Sequence, residues 1–380
     1  MHTPSTFDLA ICGAGPVGMA LAALLVQRGC RAAGIAMLDA KSLDQARRDP
    51  RTIALSQGSR QILEEAGAWP VAATPIHQIH VSRRGRFGRS LIDRGEHGVE
   101  ALGYVARYGA VVSALADVCE RLGVASLRPA LVTGSVEDAD GVSVQLEQDG
   151  AASSLRASLL VQAEGGLFGQ QPERAVSRDY GQSAIIAHVR TSDPVAHRAY
   201  ERFTDEGPLA LLPQDDGYAL VWCVPPTRAE QLLALDEVTF LARLGAAFGS
   251  RLGRFTHTTP RLAYPLGLNA QAGGTARTVA IGNAAQTLHP VAGQGLNLGL
   301  RDAAVLARVL AQDSSPAGLE RYASLRQADR GLTVRVTDTM ARIFTGSAPT
   351  QGLLGLSLGL LDAFPPARKT LAELMMYGRR

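Results

Sequence analysis

The sequence predicts an α/β fold in which a parallel sheet with covering helices is interrupted by a mostly antiparallel sheet. Near the N-terminus an apolar run, a glycine-rich turn, a helical pattern and a second apolar run follow one another within roughly thirty residues, as in a β-α-β unit. Late in the chain a buried strand again enters a glycine-rich loop and a helix. Between them lies a long stretch with the alternating pattern of antiparallel strands, and a helical segment is predicted at the C-terminus.

The first β-α-β unit comprises a strand over Phe7–Cys12, a helix over Val17–Gln27 and a strand over Arg31–Leu38 that ends on Asp39. The remaining elements are predicted from periodicity and turn residues. Helices are predicted over residues 58–66, 111–122, 238–248 and 296–310. Hairpins are predicted over residues 76–92 and 132–146, and buried strands over 159–161, 218–224 and 278–281.

Composition indicates a globular enzyme and excludes several other classes. A chain of 380 residues, 46% hydrophobic and 19% charged, is long enough for two packed domains. The net charge of +3 comes from dispersed arginines, so no nucleic-acid partner is expected. The four cysteines lie far apart without a CxxC pair, which predicts neither a disulfide framework nor a metal site. No leader and no bilayer-spanning apolar run are recognised, so a cytoplasmic location is expected.

The turn after the first strand carries the string Gly13-Ala14-Gly15-Pro16-Val17-Gly18. Gly13 permits a tight turn, Gly15 lets the backbone approach a pyrophosphate, and Gly18 allows close packing of helix on strand. Asp39 follows Gly18 by 21 residues, near the spacing of about 20 typical of an acid that bonds ribose hydroxyls. The string predicts a Rossmann-type dinucleotide site but does not distinguish FAD from NAD.

The late segment over residues 280–302 favours FAD. Its strand enters Gly282-Asn283, and then a loop with Gly293 and Gly295 leads into a helix. A flavin needs bare backbone against its ring and positive potential where charge accumulates on reduction. Glycines before a helix N-terminus provide both.

Residues 280–302 resemble the second FAD motif of the aromatic-ring flavoprotein monooxygenases, which share the para-hydroxybenzoate-hydroxylase-like fold. They are most similar to the branch that hydroxylates ubiquinone precursors, where the run also reads GNAAxTLHPxAGQGxNLGxRD. Asp49 to Leu55 matches that branch's DxRxxAL segment, and residues 201–213, 220–223 and 263–266 resemble its substrate domain. Within the branch, the hydroxylases of 2-polyprenyl-6-methoxyphenol look most similar. The resemblance covers residues 8–370.

The resemblance implies an enzyme with tightly bound FAD, transiently bound NAD(P)H, and O2 as co-substrate. It implies hydroxylation of a prenylated phenol through a flavin C4a-hydroperoxide. The cofactor-binding residues it implies, together with those of the glycine motifs, are Gly13, Gly15, Gly18, Asp39, Arg51, Glu164, Gly282, Asn283, Gly293, Gly295, Leu296 and Asn297. Two segments depart from the family pattern: Glu164 and Phe168 replace the Asp and Ser of an ADGxxS motif, and Val105–Tyr108 replaces a Val-Glu-Asn-Arg run.

The order of β-α-β and antiparallel patterns, together with the resemblance, predicts the division of the chain. Residues 1–75, 100–179 and 276–345 form a discontinuous FAD-binding domain, residues 76–99 and 180–275 a β-rich substrate domain, and residues 346–380 a C-terminal helical segment. Because no second nucleotide unit is present, NAD(P)H is expected to dock on the surface of the FAD domain.

No catalytic triad is expected, because the flavin carries the difficult chemistry. The residues predicted to line its reacting edge as catalytic residues are His289, Pro290 and Gln294, with Gly293 beside them. For His289 two interpretations stay open: a structural hydrogen bond within its loop, or handling of a substrate proton.

The C-terminal segment combines six leucines between 353 and 361 with a basic end at Arg379-Arg380. One interpretation is a helical tail packed on the FAD domain. The other is a surface that meets a polyprenyl tail, the inner face of the cytoplasmic membrane, or another ubiquinone-biosynthesis protein. Two alternative functions also stay open: hydroxylation of a small soluble aromatic acid, and a non-catalytic FAD-binding component of a quinone-biosynthesis complex.

Overall fold

Three β-sheets organise the part of the chain that the computed structural model describes, namely residues 5–84, 89–164, 176–270, 274–287, 294–326 and 365–378. The strands, in chain order, are β1 Ser5–Cys12, β2 Ile35–Leu38, β3 Thr52–Ser56, β4 Ala73–Ile76, β5 Gln78–Arg83, β6 Arg89–Asp93, β7 Gly103–Arg107, β8 Ala125–Leu127, β9 Leu131–Glu137, β10 Val142–Gln148, β11 Ala151–Gln162, β12 Val176–Thr191, β13 Arg198–Phe203, β14 Pro208–Gln214, β15 Gly217–Val224, β16 Phe255–Thr258, β17 Leu262–Ala270, β18 Thr278–Ala280 and β19 Gln286–Thr287. The helices are α1 Pro16–Gln27, α2 Leu43–Arg47, α3 Gln57–Glu65, α4 Tyr108–Arg121, α5 Pro226–Leu233, α6 Glu237–Phe248, α7 Gln294–Leu310 and α8 Pro365–Tyr377, and residues 316–326 are also helical.

The seven-stranded sheet has the order β8-β2-β1-β11-β10-β9, with β18 beside the end of β11. Strands β8, β2, β1, β11 and β18 are parallel, whereas β9 and β10 are antiparallel. Both faces of β1 are buried: Ile11 belongs to the core formed with α1, α4 and α7, and Ala10 to a core on the opposite face. Burial on both faces explains why β1 is a continuous apolar run.

The predicted β-α-β unit is confirmed, with one difference in its second strand. The strand was predicted from Arg31, but residues Ala32–Gly34 form a 3₁₀ turn and β2 begins at Ile35. Alanine and glycine have low β-propensity. Gly34 also packs so closely on the Asp8 side chain that a β-carbon there would overlap the carboxylate.

The nine-stranded sheet has the order β19-β17-β12-β15-β14-β13-β5-β6, with β16 beside β12. Its neighbouring strands are antiparallel except for β13 and β5. Helices α5 and α6 cover one face, where Tyr218, Trp222 and Phe240 are buried together. The interrupted α/β fold is thus confirmed. The domain boundaries stay a prediction, and β19, from the late segment, pairs with this sheet.

A small antiparallel sheet, β3-β7-β4, was not predicted from the sequence and joins the two larger sheets. The Thr52 hydroxyl donates to Gln214 Oε1 of the nine-stranded sheet at 2.9 Å. Ile76 and Val105 pack against Ala199 of β13. The face of the nine-stranded sheet that contacts the small sheet is the one turned away from α5 and α6. We call it the inner face.

The C-terminal helix α8 packs against α3. Ala372 and Met376 are buried, and a β-carbon on Gly58 would lie 2.8 Å from the Met376 carbonyl oxygen. The packed-tail interpretation therefore holds for this helix, whereas the leucines at 353–361 lie outside the described residues. Within the described ranges, no helix is long and apolar enough to cross a membrane.

Candidate active site

The Gly13–Gly18 turn is shaped for a close approach of backbone. Gly13 adopts φ +104°, and a β-carbon there would lie 2.5 Å from the Ala163 carbonyl carbon. A β-carbon on Gly18 would overlap the Gly13 carbonyl oxygen. Gly15 is the N-cap of α1 and supplies no side-chain capping bond, so the first turn of α1 keeps its backbone N–H groups for another acceptor.

Asp39 lies at the end of β2 beside this turn. Its carboxylate accepts the Ala14 N–H at 2.9 Å and the Lys41 N–H at 2.8 Å, which fixes its orientation. Arg128, whose side chain is only 6% exposed, approaches it to 3.8 Å and also donates to the Ala14 carbonyl oxygen. Arg128 was missed by sequence reasoning because 89 residues separate it from Asp39 and no motif contains it.

Glu164 follows β11 on the other side of the Gly13 turn. Its side chain is accessible, but the packed surroundings and, second, the Asp39 carboxylate raise its pKa. Two carboxylates therefore flank the turn, at the ends of two parallel strands. Phe168 lies outside the described residues.

The second glycine turn is held by a buried ion pair. Gly282 adopts φ +60°, and its N–H donates to Asp302 Oδ2 at 3.0 Å. The Asp302 side chain is completely buried, and its Oδ1 lies 2.7 Å from a guanidinium nitrogen of Arg326. The Arg326 side chain is only 5% exposed. The sequence contained a signal for Asp302, because it stands in the Arg-Asp pair of α7, but none for Arg326.

Val17 brings the two glycine turns together. A β-carbon added to Gly282 would lie 3.4 Å from both Val17 methyl carbons, and a β-carbon added to Gly299 would lie 2.7 Å from one of them. Helices α1 and α7 therefore pack at van der Waals distance through glycine. The first turn of α1 thus contacts both the Gly282 turn and the second turn of α7.

Arg51 is held in place from two sides. Its guanidinium makes a bidentate pair with Asp49, with N–O distances of 2.7 to 3.0 Å. The guanidinium carbon lies 4.5 Å from the centroid of the Tyr108 ring. Burial would raise the pKa of Asp49, but hydrogen bonds and charge from Arg51 lower it overall. Tyr108, a residue that sequence reasoning noted only as a departure, also lies near Gly15: a β-carbon there would be 3.1 Å from its hydroxyl.

Asn297 has a structural connection that was not predicted. Its Oδ1 accepts the Ser56 N–H at 2.8 Å and the Ser59 hydroxyl at 2.7 Å, and its Nδ2 donates to the Ala54 carbonyl oxygen at 3.0 Å. The side chain is 2% exposed. Asn297 thus joins α7 to β3 and α3, and β3 follows directly after Arg51.

The other predicted residues of the late loop are described only in part. Gly295 and Leu296 lie in the first turn of α7, and Asn283 lies in the Gly282–Ala284 turn near Gly295. Gln294 begins α7, although its side chain is not described. His289, Pro290 and Gly293 lie outside the described residues.

The described geometry fits a dinucleotide such as FAD. β-Carbons added at Gly13 and Gly18 would overlap neighbouring backbone atoms, α1 begins without a side-chain cap, and the first turn of α1 packs against α7 at Gly299. This arrangement offers backbone donors and positive helix ends to a pyrophosphate. The carboxylate of Asp39 lies beside this turn, next to Ala14.

Comparisons with known proteins agree with this geometry. The chain matches the FAD binding domain family over residues 6–335. It is 32% identical to ubiquinone hydroxylase UbiL of Rhodospirillum rubrum, over 95% of this chain and 87% of that protein. It is 30% identical to 3-demethoxyubiquinol 3-hydroxylase of Escherichia coli, over 94% of each.

Among solved structures, p-nitrophenol 4-monooxygenase PnpA from Pseudomonas putida superposes with a TM-score of 0.77 at 18% identity, over 99% of this chain and 100% of that one. At this identity the similarity concerns the fold alone. With the family match and the two relatives, it leads to one conclusion: the chain belongs to the family of FAD-binding monooxygenases that includes these ubiquinone hydroxylases.

Proposed function

We propose that this protein is an FAD-dependent hydroxylase of ubiquinone biosynthesis that uses NAD(P)H and O2 to hydroxylate the ring of a prenylated phenol. The observation that carries the proposal is the meeting of two glycine turns at the starts of α1 and α7, in a chain about 30% identical to ubiquinone hydroxylases over nearly its whole length. The inner face of the nine-stranded sheet supplies an apolar wall for the substrate ring.

The residues proposed to hold FAD divide by the part of the cofactor that they contact. Gly13, Gly15 and Gly18 place backbone and the α1 N-terminus at the pyrophosphate. Asp39 accepts hydrogen bonds from the ribose, in an orientation fixed by Ala14 and Lys41. When bound, the reduced flavin supplies the electrons and the site for activation of O2.

A second group is proposed to act around the flavin ring. Gly293, Gly295, Leu296 and Asn297 place the α7 N-terminus at the edge where negative charge develops on reduction. The remaining members of the predicted site are assigned to the flavin and its reacting edge: Arg51, Glu164, Gly282, Asn283, His289, Pro290 and Gln294. They position the substrate ring and exclude water, and His289 retains its two interpretations.

Anaerobic reduction tests the proposed reaction. The purified protein should show a flavin spectrum, and NADPH or NADH should bleach it faster when a prenylated phenol is present. If the phenol does not accelerate bleaching and no hydroxylated product forms when O2 is admitted, the result would favour a non-catalytic FAD-binding protein. Stimulation by 4-hydroxybenzoate instead of the prenylated phenol would favour hydroxylation of small aromatic acids.

The place in the pathway is tested in cells. A strain that lacks this protein should accumulate one prenylated phenol precursor, identified in its lipid extract, and a plasmid copy should remove it. Normal quinone content with no precursor would contradict the assignment.

We also propose that the protein is cytoplasmic and lies at the inner face of the membrane, with the C-terminal segment as the contact. Support comes from the six leucines at 353–361 and from a substrate whose prenyl tail partitions into lipid. Flotation with anionic vesicles should carry the wild-type protein upward, and the variant Leu353→Gln, Leu354→Gln should remain at the bottom. Equal flotation of both would exclude this segment as the contact.

A further inference from the structure

We propose that Glu201 is the group that accepts the phenol hydroxyl of the substrate, and that it selects neutral phenols over aromatic carboxylates. The inference rests on the proposed hydroxylase function and adds a residue and a specificity to it. Sequence reasoning assigned Glu201 no role and took residues 201–213 only as part of a family resemblance.

The register of the nine-stranded sheet places Glu201 on the inner face. Tyr200, its neighbour in β13, is buried against Phe248 of α6 on the opposite face. Because side chains alternate along a strand, Glu201 points away from the helices. Ala199, two residues earlier, packs against Ile76 and Val105 of the small sheet, which confirms the direction.

Directly opposite neighbours surround Glu201 with apolar side chains. On one side, the residues in register with Glu201 are Ala210 of β14, Val221 of β15 and Ile186 of β12. On the other side, the residue in register is Val81 of β5. Along β13 itself, the residues two positions before and after are Ala199 and Phe203, both buried. Glu201 is therefore a single carboxylate in an apolar row that spans five strands.

The carboxylate lacks a protein partner in the part of the chain that the structure describes. No hydrogen bond or ion pair to Glu201 is found there, although the side chain is partly accessible. Loss of hydration on burial raises its pKa to about 7. Leaving a carboxylate unpaired in such surroundings is costly, so a position like this indicates a ligand that completes it.

The same face leads to the flavin site. Ala184 and Cys223 lie in the next row of the inner face, and Tyr264 pairs with Ala184. Tyr264 is close enough to Arg51 to contribute to the raised pKa of its guanidinium. The Cys223 thiol is close enough to Glu201 that the carboxylate, after burial, raises the pKa of the thiol. A ring held on this face would thus lie between Glu201 and the Arg51 side of the cofactor site.

The chemistry that fits is a hydrogen bond from the phenol O–H to the Glu201 carboxylate. As a C–O bond forms at the ring, electron density leaves the phenol oxygen and its O–H bond weakens. That bond breaks, and the proton passes to the carboxylate, which becomes the neutral acid. The oxygen atom comes from O2, whose O–O bond breaks as the second atom leaves as water, with two electrons from NAD(P)H in the proposed reaction. The attacked ring carbon then loses its hydrogen as a proton and the phenol oxygen regains one from Glu201, which restores the carboxylate. A benzoate would instead meet a like charge, which disfavours it.

Binding to the FAD-loaded enzyme tests this assignment. Dissociation constants are measured at about pH 8.5, where Glu201 with its pKa of about 7 is ionised, from the change in flavin fluorescence for 2-farnesylphenol, its methyl ether and 4-hydroxybenzoate. We expect the wild type to bind the phenol at least about tenfold more tightly than the ether, since hydrogen bonds to charged groups are the stronger ones. In Glu201→Gln this preference should fall to about threefold or less, and benzoate binding should strengthen. Glu201→Asp should retain most of the preference.

Turnover gives an independent readout. Loss of the proton acceptor should lower the kcat of Glu201→Gln by about 100-fold, which is the smallest rate effect typical of general base catalysis. The change in KM should be smaller. Glu147→Gln is the matched control, because Glu147 is exposed on β10 of the other large sheet. FAD content and the unfolding midpoint, measured in parallel, show that each variant is folded.

The outcomes separate the two proposals. A wild-type protein that neither binds the phenol nor hydroxylates it would overturn the proposed function and this inference with it. A wild type that hydroxylates the phenol, with a Glu201→Gln variant of unchanged phenol-to-ether preference and unchanged kcat, would overturn the role of Glu201 alone.

Discussion

The Arg51 guanidinium lies between the Asp49 carboxylate and the Tyr108 ring, 4.5 Å from the ring centroid. Tyr108 begins α4, and its hydroxyl borders Gly15 at the start of α1. The segment between β2 and β3 is thereby fixed against the glycine turn. Arg51, which we propose to lie at the flavin, is thus an oriented cation whose position depends on an aromatic residue distant in sequence.

Replacing Tyr108 should therefore affect FAD affinity through Arg51. Tyr108→Leu removes the ring face and should weaken FAD binding by about 0.5–2 kcal/mol, or roughly 2- to 30-fold. Tyr108→Phe keeps the ring and should bind FAD nearly as the wild type does. Titration of the apoprotein with FAD, followed by fluorescence quenching, measures both. Equal loss in the two variants would assign the effect to the hydroxyl instead.

Gly18→Ala should abolish retention of FAD during purification. The added β-carbon would overlap the Gly13 carbonyl oxygen, so the turn must open or α1 must move. The ratio of flavin to protein absorbance measures the loss, which we expect to be at least tenfold in affinity. Gly245→Ala in α6 is the control: its β-carbon would lie 3.8 Å from the Phe255 ring, an ordinary contact, and alanine there should stabilise the helix by up to about 1 kcal/mol. Full FAD content in Gly18→Ala would contradict the close packing.

Breaking the buried pair of Asp302 and Arg326 should destabilise the protein strongly. Arg326→Met removes this guanidinium from the buried Asp302 carboxylate, and the expected loss is about 3–5 kcal/mol in the free energy of unfolding. Urea unfolding of the FAD-loaded protein measures it. Adding Asp302→Asn to Arg326→Met should recover part of the loss, because the buried side chain at 302 then carries no charge. A double variant as unstable as the single one would assign the loss to packing.

The pKa of Glu201, raised to about 7, predicts a pH-dependent cost in stability. Between the unfolded-state pKa near 4.5 and about pH 7, the folded protein holds a proton that the unfolded chain has released. The free energy of unfolding should therefore fall as pH rises through this window and then level off. Because the side chain is partly accessible, the contribution is placed at about 1–3 kcal/mol.

The difference between wild type and Glu201→Gln isolates this contribution. The variant should gain stability relative to the wild type between pH 5 and pH 8, measured by urea unfolding at each pH without substrate. A difference that does not change with pH would indicate that the carboxylate finds a partner in solution.

The sequence by itself determined the nucleotide half of the protein, because that half is built from short local patterns. A glycine string must follow a strand and open a helix, so Gly13 to Gly18 and Asp39 could be identified from spacing alone. Hydrophobic periodicity likewise located α1, α4, α6 and α7 to within a few residues. Alternation predicted the hairpins that became β5–β6 and β9–β10.

Only the tertiary structure decided which distant side chains meet. Arg128 reaches Asp39, Arg326 neutralises Asp302, and Tyr108 supports Arg51, each across a separation in sequence that carries no periodic signal. The small β3-β7-β4 sheet and the inner-face position of Glu201 depend on strand register. A shift by one residue in register would turn Glu201 toward α6. The chemistry of the phosphate turn is local, whereas the choice of substrate depends on which face of a sheet a residue occupies.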